Sequence, residues 1–176
     1  MLKKAKLWEA ARATSAATTF FEPIQIGGEW FVDGATGANC PIPEMWAEAN
    51  DIWSDGGDWR LEDNVACFVS IGTGVPPYGG FQDTILGISK TLTDIATDSQ
   101  KAAEDFQRTR QYMYKQGRFF RFNVDQGLGH IGLEEAEMLD DIRSATRDYV
   151  QRERVRDELA TCLKVLAQRE SASIYA

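Results

Sequence analysis

The chain has 176 residues, of which 43% are hydrophobic and 26% are charged, a composition ordinary for one globular domain with a sizeable core. Its formal net charge of -8 argues against nucleic acid as a partner, because phosphate binding draws on an excess of clustered Lys and Arg. No apolar run approaches the roughly twenty residues that span a bilayer, and the start of the chain has no apolar segment long enough for a signal peptide, so we expect a cytoplasmic protein without a transmembrane segment.

A helix and a hairpin are predicted first. The segment 7–17 has the alanine content and spacing of a helix, and Pro23 disfavours helix just beyond it. The runs 24–26 and 29–32 are apolar or alternating and are joined by Gly27-Gly28, which is the pattern of a tight hairpin.

Asp33 stands at the abrupt end of the second predicted strand. Gly34 and Gly37 follow it closely, so regular structure stops there. Most Asp-Gly pairs only turn the chain. A carboxylate at a strand end can nevertheless reach across a cleft, which makes Asp33 the first candidate for a functional role.

A second helix is predicted from Pro43 to Trp53, followed by a surface loop from Ser54 to Asp63. The helix would present an apolar stripe made of Met45, Trp46, Ala49 and Trp53. We interpret the tryptophans as core residues.

The run from Val65 to Ile71 is nearly all apolar and β-prone, so it predicts a strand of a parallel sheet buried on both faces. Gly72-Thr73-Gly74 ends it. A dinucleotide site would need a third glycine where Pro77 stands, so we interpret 75–80 as a loop near a pocket mouth.

Helical spacing resumes from Asp83 and predicts one long amphipathic helix or two short ones, with Glu104 and Arg108 as an outer ion pair. The apolar positions are Ile85, Ile88, Leu92, Ile95, Ser99, Ala102, Phe106 and Met113. The segment 119–124 alternates as a strand and ends in a turn at 125–129.

The C-terminal part is predicted to be helical. One stripe runs through 133–149, and a second follows a charged interruption at 151–157. The stripes are formed by Leu139, Ile142, Ala145, Thr146 and Tyr149, and by Val155, Leu159, Cys162, Leu163 and Leu166. Residues 171–176 are interpreted as a fraying end.

Three widely spaced cysteines fit reduced thiols better than a disulfide framework. Cys67 and Cys162 fall on apolar patterns and are interpreted as packing residues. Cys40 and His130 could form a nucleophilic pair in principle, but nothing in their spacing supports one. No ligand pair has a usual metal spacing, so neither a metal nor a cofactor is expected.

Three blocks taken together resemble the C-terminal half of the patatin-like phospholipase domain. They are the segment 8–21, the segment 31–41 with Asp33-Gly34-Ala35 at the family's Asp-Gly-Gly/Ala motif, and the segment 67–74. The similarity runs from about Leu7 to at least Gln126. The family usually has proline where Thr18 stands and asparagine where Cys40 stands.

The resemblance implies a lipid acyl hydrolase with a layered α/β/α fold, of which 1–126 would form the C-terminal half and 127–176 a helical extension of the same unit. Asp33 would be the catalytic aspartate of a Ser-Asp dyad, and a lipid ester would be the substrate, with peripheral membrane contact possible. The pocket would be lined by Thr14, Ser15, Asn39, Gly72, Thr73 and Gly74.

The family's nucleophile lies in a Gly-x-Ser-x-Gly elbow, and this sequence contains none. The nearest imitation, Gly87-Ile88-Ser89-Lys90-Thr91, lacks the second glycine and has a helical pattern. The fold is therefore expected to be incomplete, without the strands that carry the elbow. The alternative to the hydrolase is a non-catalytic remnant that binds lipid or a protein partner.

Overall fold

The computed structural model describes residues 5–17, 20–54, 59–75, 88–129, 131 and 135–167, with the backbone alone at residues 36 and 88–97. The chain divides into two units, Met1–Asn39 and Cys40–Ala176, and each is described by itself. Both units combine helices with short strands, so the predicted α/β class is confirmed.

The first unit contains a helix, a hairpin and a single turn of 3-10 helix. They are α1 Leu7–Ala13, β1 Ile24–Ile26, β2 Glu29–Phe31 and the 3-10 turn Gly34–Thr36. The strands pair antiparallel, with Ile24 opposite Phe31. Gly27 and Gly28 both have positive φ, 59° and 92°, as a two-residue hairpin turn of type I′ requires. The hairpin prediction is confirmed.

Helix α1 ends at Ala13, before the predicted end at Ala17. The hydroxyls of Thr14 and Ser15 both donate to the carbonyl of Ala11, at 3.1 and 2.6 Å. Such side-chain bonds to the backbone compete with continuation of a helix, which explains the early end.

The described residues of the second unit form six helices, two strands and one 3-10 turn. The elements are α2 Ile42–Trp53, α3 Leu61–Asn64, β3 Phe68–Ile71, α4 Ile88–Thr109, α5 Gln111–Lys115, β4 Phe119–Phe122, α6 Leu139–Gln151 and α7 Glu153–Ala167, with the turn Ala136–Met138 before α6. Strands β3 and β4 are parallel, with Phe68 opposite Phe119 and Ile71 opposite Phe122. The parallel pairing agrees with the prediction.

Two hydrophobic clusters form the core of the second unit. The first joins α2, α4, α5 and the parallel strands, and its buried members are Cys40, Ile42, Trp46, Leu61, Ala103, Phe106, Met113 and Phe119. Trp46 meets Phe106 edge to face, with ring centroids 5.5 Å apart. The second cluster contains Val124, Tyr149 and Val155, so it connects the end of β4 to α6 and α7.

Strand β3 differs from the prediction of a strand that is buried on both faces. Ser70 is buried, but Val69 is 39% and Ile71 is 79% exposed. Among the described residues β3 pairs only with β4, and nothing there covers the face that Val69 and Ile71 share. The prediction of two buried faces is therefore wrong.

Two predictions, for the apolar stripe of α2 and for the surface loop that follows it, are also wrong in part. In α2 the core-facing residues are Ile42 and Trp46, whereas Met45 and Trp53 are exposed. The end of the predicted surface loop forms α3 and buries Leu61 against the first cluster.

The predicted pair of Glu104 and Arg108 does not form. Arg108 bonds to Asp105 at 2.8 Å, and Glu104 accepts from Gln100 at 2.8 Å. Each of these exposed contacts joins residues three or four positions apart on the same face of α4. Several side chains on this face can therefore compete for the same partner.

The charged interruption between the last two helices is narrower than predicted. Only Arg152, with extended backbone at ψ 134°, separates α6 from α7. Several predictions lie outside the described residues: those for Thr18, for Ile85, for His130, for the loop 76–80 and for the end 171–176.

Candidate functional site

Asp33 lies directly after the hairpin, where it begins the 3-10 turn Gly34–Thr36. Its Oδ1 accepts a hydrogen bond from the amide of Ala35 at 2.8 Å, which fixes the carboxylate against its own turn. The side chain is half-buried. The hydrogen bond that this carboxylate accepts within the described part of the chain is the one at Oδ1.

The backbone of Asp33 is tied to the segment that follows α1. Its amide donates to the carbonyl of Ala16 at 3.0 Å, and Ala16 is fully buried. Because the helix ends early, the Ala16 carbonyl can turn toward the end of the hairpin. The two segments of the sequence that contain the motif and the alanine-rich helix thus meet at this bond.

The other predicted site residues of the first unit have different surroundings. Thr14 and Ser15 are exposed, and their hydroxyls are bonded to the Ala11 carbonyl. Asn39 is exposed at the end of the motif segment. The described contacts join Asp33, Gly34 and Ala35 in one turn, and they give Thr14 and Ser15 a role in ending α1.

Gly72-Thr73-Gly74 forms a loop at the carboxyl end of β3, in the second unit. The amide of Gly74 donates to Asn123 Oδ1 at 2.8 Å, and Gly74 has a φ of 118°, which favours glycine. At Gly72 a methyl group would overlap Asn123 Oδ1 and lie 2.5 Å from its Cγ. Gly72 is thus required by the close approach of the Asn123 side chain, and Gly74 is favoured by its positive φ.

Asn123 joins three elements at this end of the parallel sheet, and no sequence motif predicted that function. Its amide nitrogen Nδ2 donates to Gln100 of α4 at 3.2 Å, and its backbone amide donates to the Tyr149 hydroxyl of α6 at 3.2 Å. Asn123 follows a phenylalanine-rich strand and belongs to no motif, so only the fold reveals its function as a link between β3, α4 and α6.

A cavity of about 590 Å³ opens beside this network in the second unit. Its lining includes Val75, Gln100, Arg121, Asn123, Tyr149 and Arg154. The lining carries Lys115, Arg121 and Arg154 and also Asp125, Asp157 and Glu158, so charges of both signs are present. Such a lining favours no single charge of ligand.

No serine of β3 or α4 has the context of a nucleophile elbow. Ser70 is buried, and its hydroxyl accepts a bond from Arg121 Nη1 at 2.6 Å. Ser89 lies in the first turn of α4, as its helical pattern predicted. An elbow serine would instead stand on a sharp turn between a strand and a helix.

Across the described ranges, no three metal-binding side chains lie close enough together to hold an ion. The described helices likewise include none that is both long and apolar enough to cross a membrane.

Comparison with known proteins agrees with the sequence motif. Residues 1–46 match the family described as patatin-like phospholipase, and this range contains Asp33. The calcium-independent phospholipase A2-gamma of Oryctolagus cuniculus is 27% identical over 168 residues, which is 94% of this chain and 20% of that protein. The human protein of the same name is 27% identical over 169 residues, again 94% of this chain and 20% of that protein.

Phospholipase A I of Arabidopsis thaliana is 30% identical over 131 residues, which is 72% of this chain and 9% of that protein. The chain therefore spans about a fifth or less of the length of these relatives. No solved structure matches it significantly. The family match at 1–46, the two groups of phospholipase relatives and the α/β architecture together identify a patatin-like domain in this chain.

Proposed function

We propose that this chain supplies Asp33 as the general base of a lipid acyl hydrolase that works through a Ser-Asp dyad. The observation that carries the proposal is the fixed position of the Asp33 carboxylate at the end of the hairpin, with Oδ1 bonded to the Ala35 amide. A general base must lie within hydrogen-bond reach of the proton that it removes, so a fixed orientation is the first requirement.

In this mechanism the two carboxylate oxygens of Asp33 have different functions. Oδ1 is held by the backbone, and Oδ2 accepts the proton of a serine hydroxyl while the serine Oγ attacks the carbonyl carbon of a lipid ester. The alcohol of the ester leaves with a proton, and an acyl-serine is formed. Water then attacks the acyl carbonyl while the same carboxylate accepts its proton, the C–O bond to the serine breaks, and the proton passes to the serine Oγ as the fatty acid leaves.

The serine of the dyad has to come from another segment, because the chain has no Gly-x-Ser-x-Gly sequence. Residues 1–176 alone should therefore hydrolyse no acyl ester above the rate measured for Asp33→Ala. The genomic sequence upstream of Met1 offers a direct check, because an in-frame Gly-x-Ser-x-Gly elbow preceded by a glycine-rich loop would supply both the nucleophile and the oxyanion donors.

The decisive variant is Asp33→Asn in a polypeptide that also contains the elbow. The asparagine carbonyl can still accept the Ala35 amide, so the turn is kept and only the base is lost. We expect kcat on a phosphatidylcholine ester to fall by about three to four orders of magnitude, as loss of a catalytic base or of its orientation does in comparable hydrolases.

Glu29→Gln is the matched control, because it removes one exposed carboxylate from the adjacent strand β2. It should leave kcat unchanged. Activity retained in Asp33→Asn would remove Asp33 from the catalytic function and would favour the alternative, a non-catalytic module that binds lipid or protein.

We also propose that the first unit touches the lipid surface. Trp8 and Trp30 are 61% and 68% exposed, and the amphipathic indole ring is suited to a membrane interface. Phe21, 59% exposed, adds apolar surface. Phosphatidylcholine vesicles should shift the tryptophan emission of the wild type to shorter wavelength, and the shift should be smaller in Trp30→Ser. Identical emission with and without vesicles would count against the contact.

A further inference from the structure

The guanidinium of Arg121 has one anchored nitrogen and one buried nitrogen without a partner. Its Nη1 donates to the hydroxyl of Ser70 at 2.6 Å, and Ser70 is only 7% exposed. Its Nε is buried and has no hydrogen-bond partner among the described residues. Because Nε and Nη2 share one edge of the planar guanidinium, this edge is a fork of two N–H donors on a side chain that β3 holds in place.

Arg121 also has no ion pair with a carboxylate of the described residues. The charges that line the cavity balance when they are counted, but they are not equally free. Asp125 and Glu158 are paired with other arginines, at 2.6 and 2.8 Å, whereas Asp157 lies on α7 and is not paired with Arg121. A cation that is shielded from water is costly unless it is paired and hydrogen-bonded. An anion at Arg121 would therefore be favourable.

The cavity of about 590 Å³ contains this guanidinium and lies near the carboxyl end of the parallel strands. Arg121 is the third of the four residues of β4, and Asn123 follows the strand on the same face. In open α/β sheets, ligands bind in the crevice outside the carboxyl ends of the strands. The volume is within the range of about 300 to 1,000 Å³ that is usual for small-molecule sites.

Tyr149 supplies another donor to the same cavity. Its side chain is 5% exposed, and its hydroxyl accepts the amide of Asn123 at 3.2 Å, so it can still donate its own hydrogen. Arg121 and Asn123 are two residues apart on an extended chain, which is a distance of about 7 Å. A ligand of only a few atoms can therefore reach both the fork and the hydroxyl.

We propose that this cavity binds a small polar carboxylic acid, with its carboxylate on the Nε and Nη2 edge of Arg121. Two parallel N–H donors match the two oxygens of a carboxylate. The lining also includes Gln100, Gln107 and Thr161, whose polar groups suit a polar molecule better than an acyl chain. The site does not depend on the hydrolase proposal, because it lies in the second unit and uses no residue of the dyad.

Nuclear magnetic resonance can observe the proposed contact directly, because each arginine Nε–H gives its own nitrogen–proton resonance. The purified chain is titrated with succinate, with succinamate, which keeps one carboxylate, and with succinamide, which keeps the size and has none. We expect the two carboxylates to shift the Nε resonance of Arg121 saturably. Succinamide should bind at least about tenfold more weakly, since hydrogen bonds to a charged group are the strong ones.

Variants assign the resonance and the site. Arg121→Lys keeps the positive charge but loses the fork, so the resonance should disappear and the affinity for succinate, measured by calorimetry, should fall by at least about tenfold. Arg147→Lys is the matched control, because Arg147 is exposed on α6 and does not line the cavity. Its affinity for succinate should equal that of the wild type.

Ser70→Ala keeps the fork and removes its anchor, so it should move the same resonance and weaken binding. It provides the assignment even where Arg121→Lys fails to fold.

Four outcomes would overturn the proposal. They are equal affinity for succinate and succinamide, a larger response to inorganic phosphate than to succinate, binding of the fatty acid octanoate alone, and a succinate titration without a saturable shift of the Arg121 resonance.

Discussion

The position of Asp33 depends on neighbours that a motif does not contain. Its carboxylate is held by Ala35, two residues later, but its backbone is held by the carbonyl of Ala16, which α1 leaves unused by ending at Ala13. The early end of the helix in turn depends on the hydroxyls of Thr14 and Ser15. Residues outside the Asp-Gly-Ala sequence therefore fix where the carboxylate stands.

Gly72 gives a test of the loop that follows β3. Gly72→Ala forces the Asn123 side chain away and breaks its bond to the Gly74 amide. We expect the free energy of unfolding to fall by about 1 to 3 kcal/mol, measured from the midpoint of urea denaturation.

A double-mutant cycle separates the clash from other effects of the substitution. In an Asn123→Ala background the overlap with Oδ1 and Cγ is absent and Arg121 Nη2, at 3.0 Å, is the close atom that stays, so Gly72→Ala should cost less. If Gly72→Ala lowers the free energy of unfolding equally in the two backgrounds, the Asn123 side chain is not the reason that residue 72 is a glycine.

At the scale of elements, the sequence predicted best where local chemistry decides the structure. The hairpin with its Gly27-Gly28 turn, the strand at Phe119 and the helical position of Ser89 all follow from patterns within a few residues. The end of α1 was missed because alanine content favours a longer helix than the Thr14 and Ser15 hydroxyls permit.

Longer-range features could not be read from the sequence. Arg121 bonding to Ser70, and Asn123 bonding to Gln100 and Gly74, join segments that are at least 23 residues apart. Such contacts exist only once the parallel strands are paired. The exposed face of β3 was missed for the same reason, because apolar residues predict burial whether or not a covering element is present.

The hairpin turn provides a prediction with a closely matched control. A methyl group at Gly28 or at Gly37 would meet nothing within 4 Å, but Gly28 has a φ of 92° whereas Gly37 has extended backbone at -165°. Gly28→Ala should therefore be strained, and Gly37→Ala should not.

The strain at Gly28→Ala should be about 1 to 2 kcal/mol, so the amides of β1 and β2 should exchange with solvent roughly 5 to 30 times faster. Hydrogen exchange followed by mass spectrometry measures this directly. If both variants exchange at the wild-type rate, the positive φ at Gly28 is not what holds the turn.

At the scale of the whole molecule, the exposed apolar face of β3 favours association between chains. Val69 and Ile71 lie on one face of a short strand whose only paired neighbour, among the described residues, is β4. An apolar strand edge is also a template for pairing with other chains.

Residues 1–176 expressed alone should therefore be marginally stable or oligomeric, and Ile71→Lys should reduce the association. Because Ile71 is 79% exposed, a lysine there adds charge beside the strand edge and removes little packing. Leu163→Lys is the control, since Leu163 is 64% exposed on the helix α7, where no strand edge is available.

Light scattering during heating should fall in Ile71→Lys and stay at the wild-type level in Leu163→Lys, with circular dichroism reporting the transition. A wild type that stays monomeric and unfolds sharply above about 55 °C, well within the mesophile range, would mean that this segment folds independently and that the exposed face of β3 does not limit it.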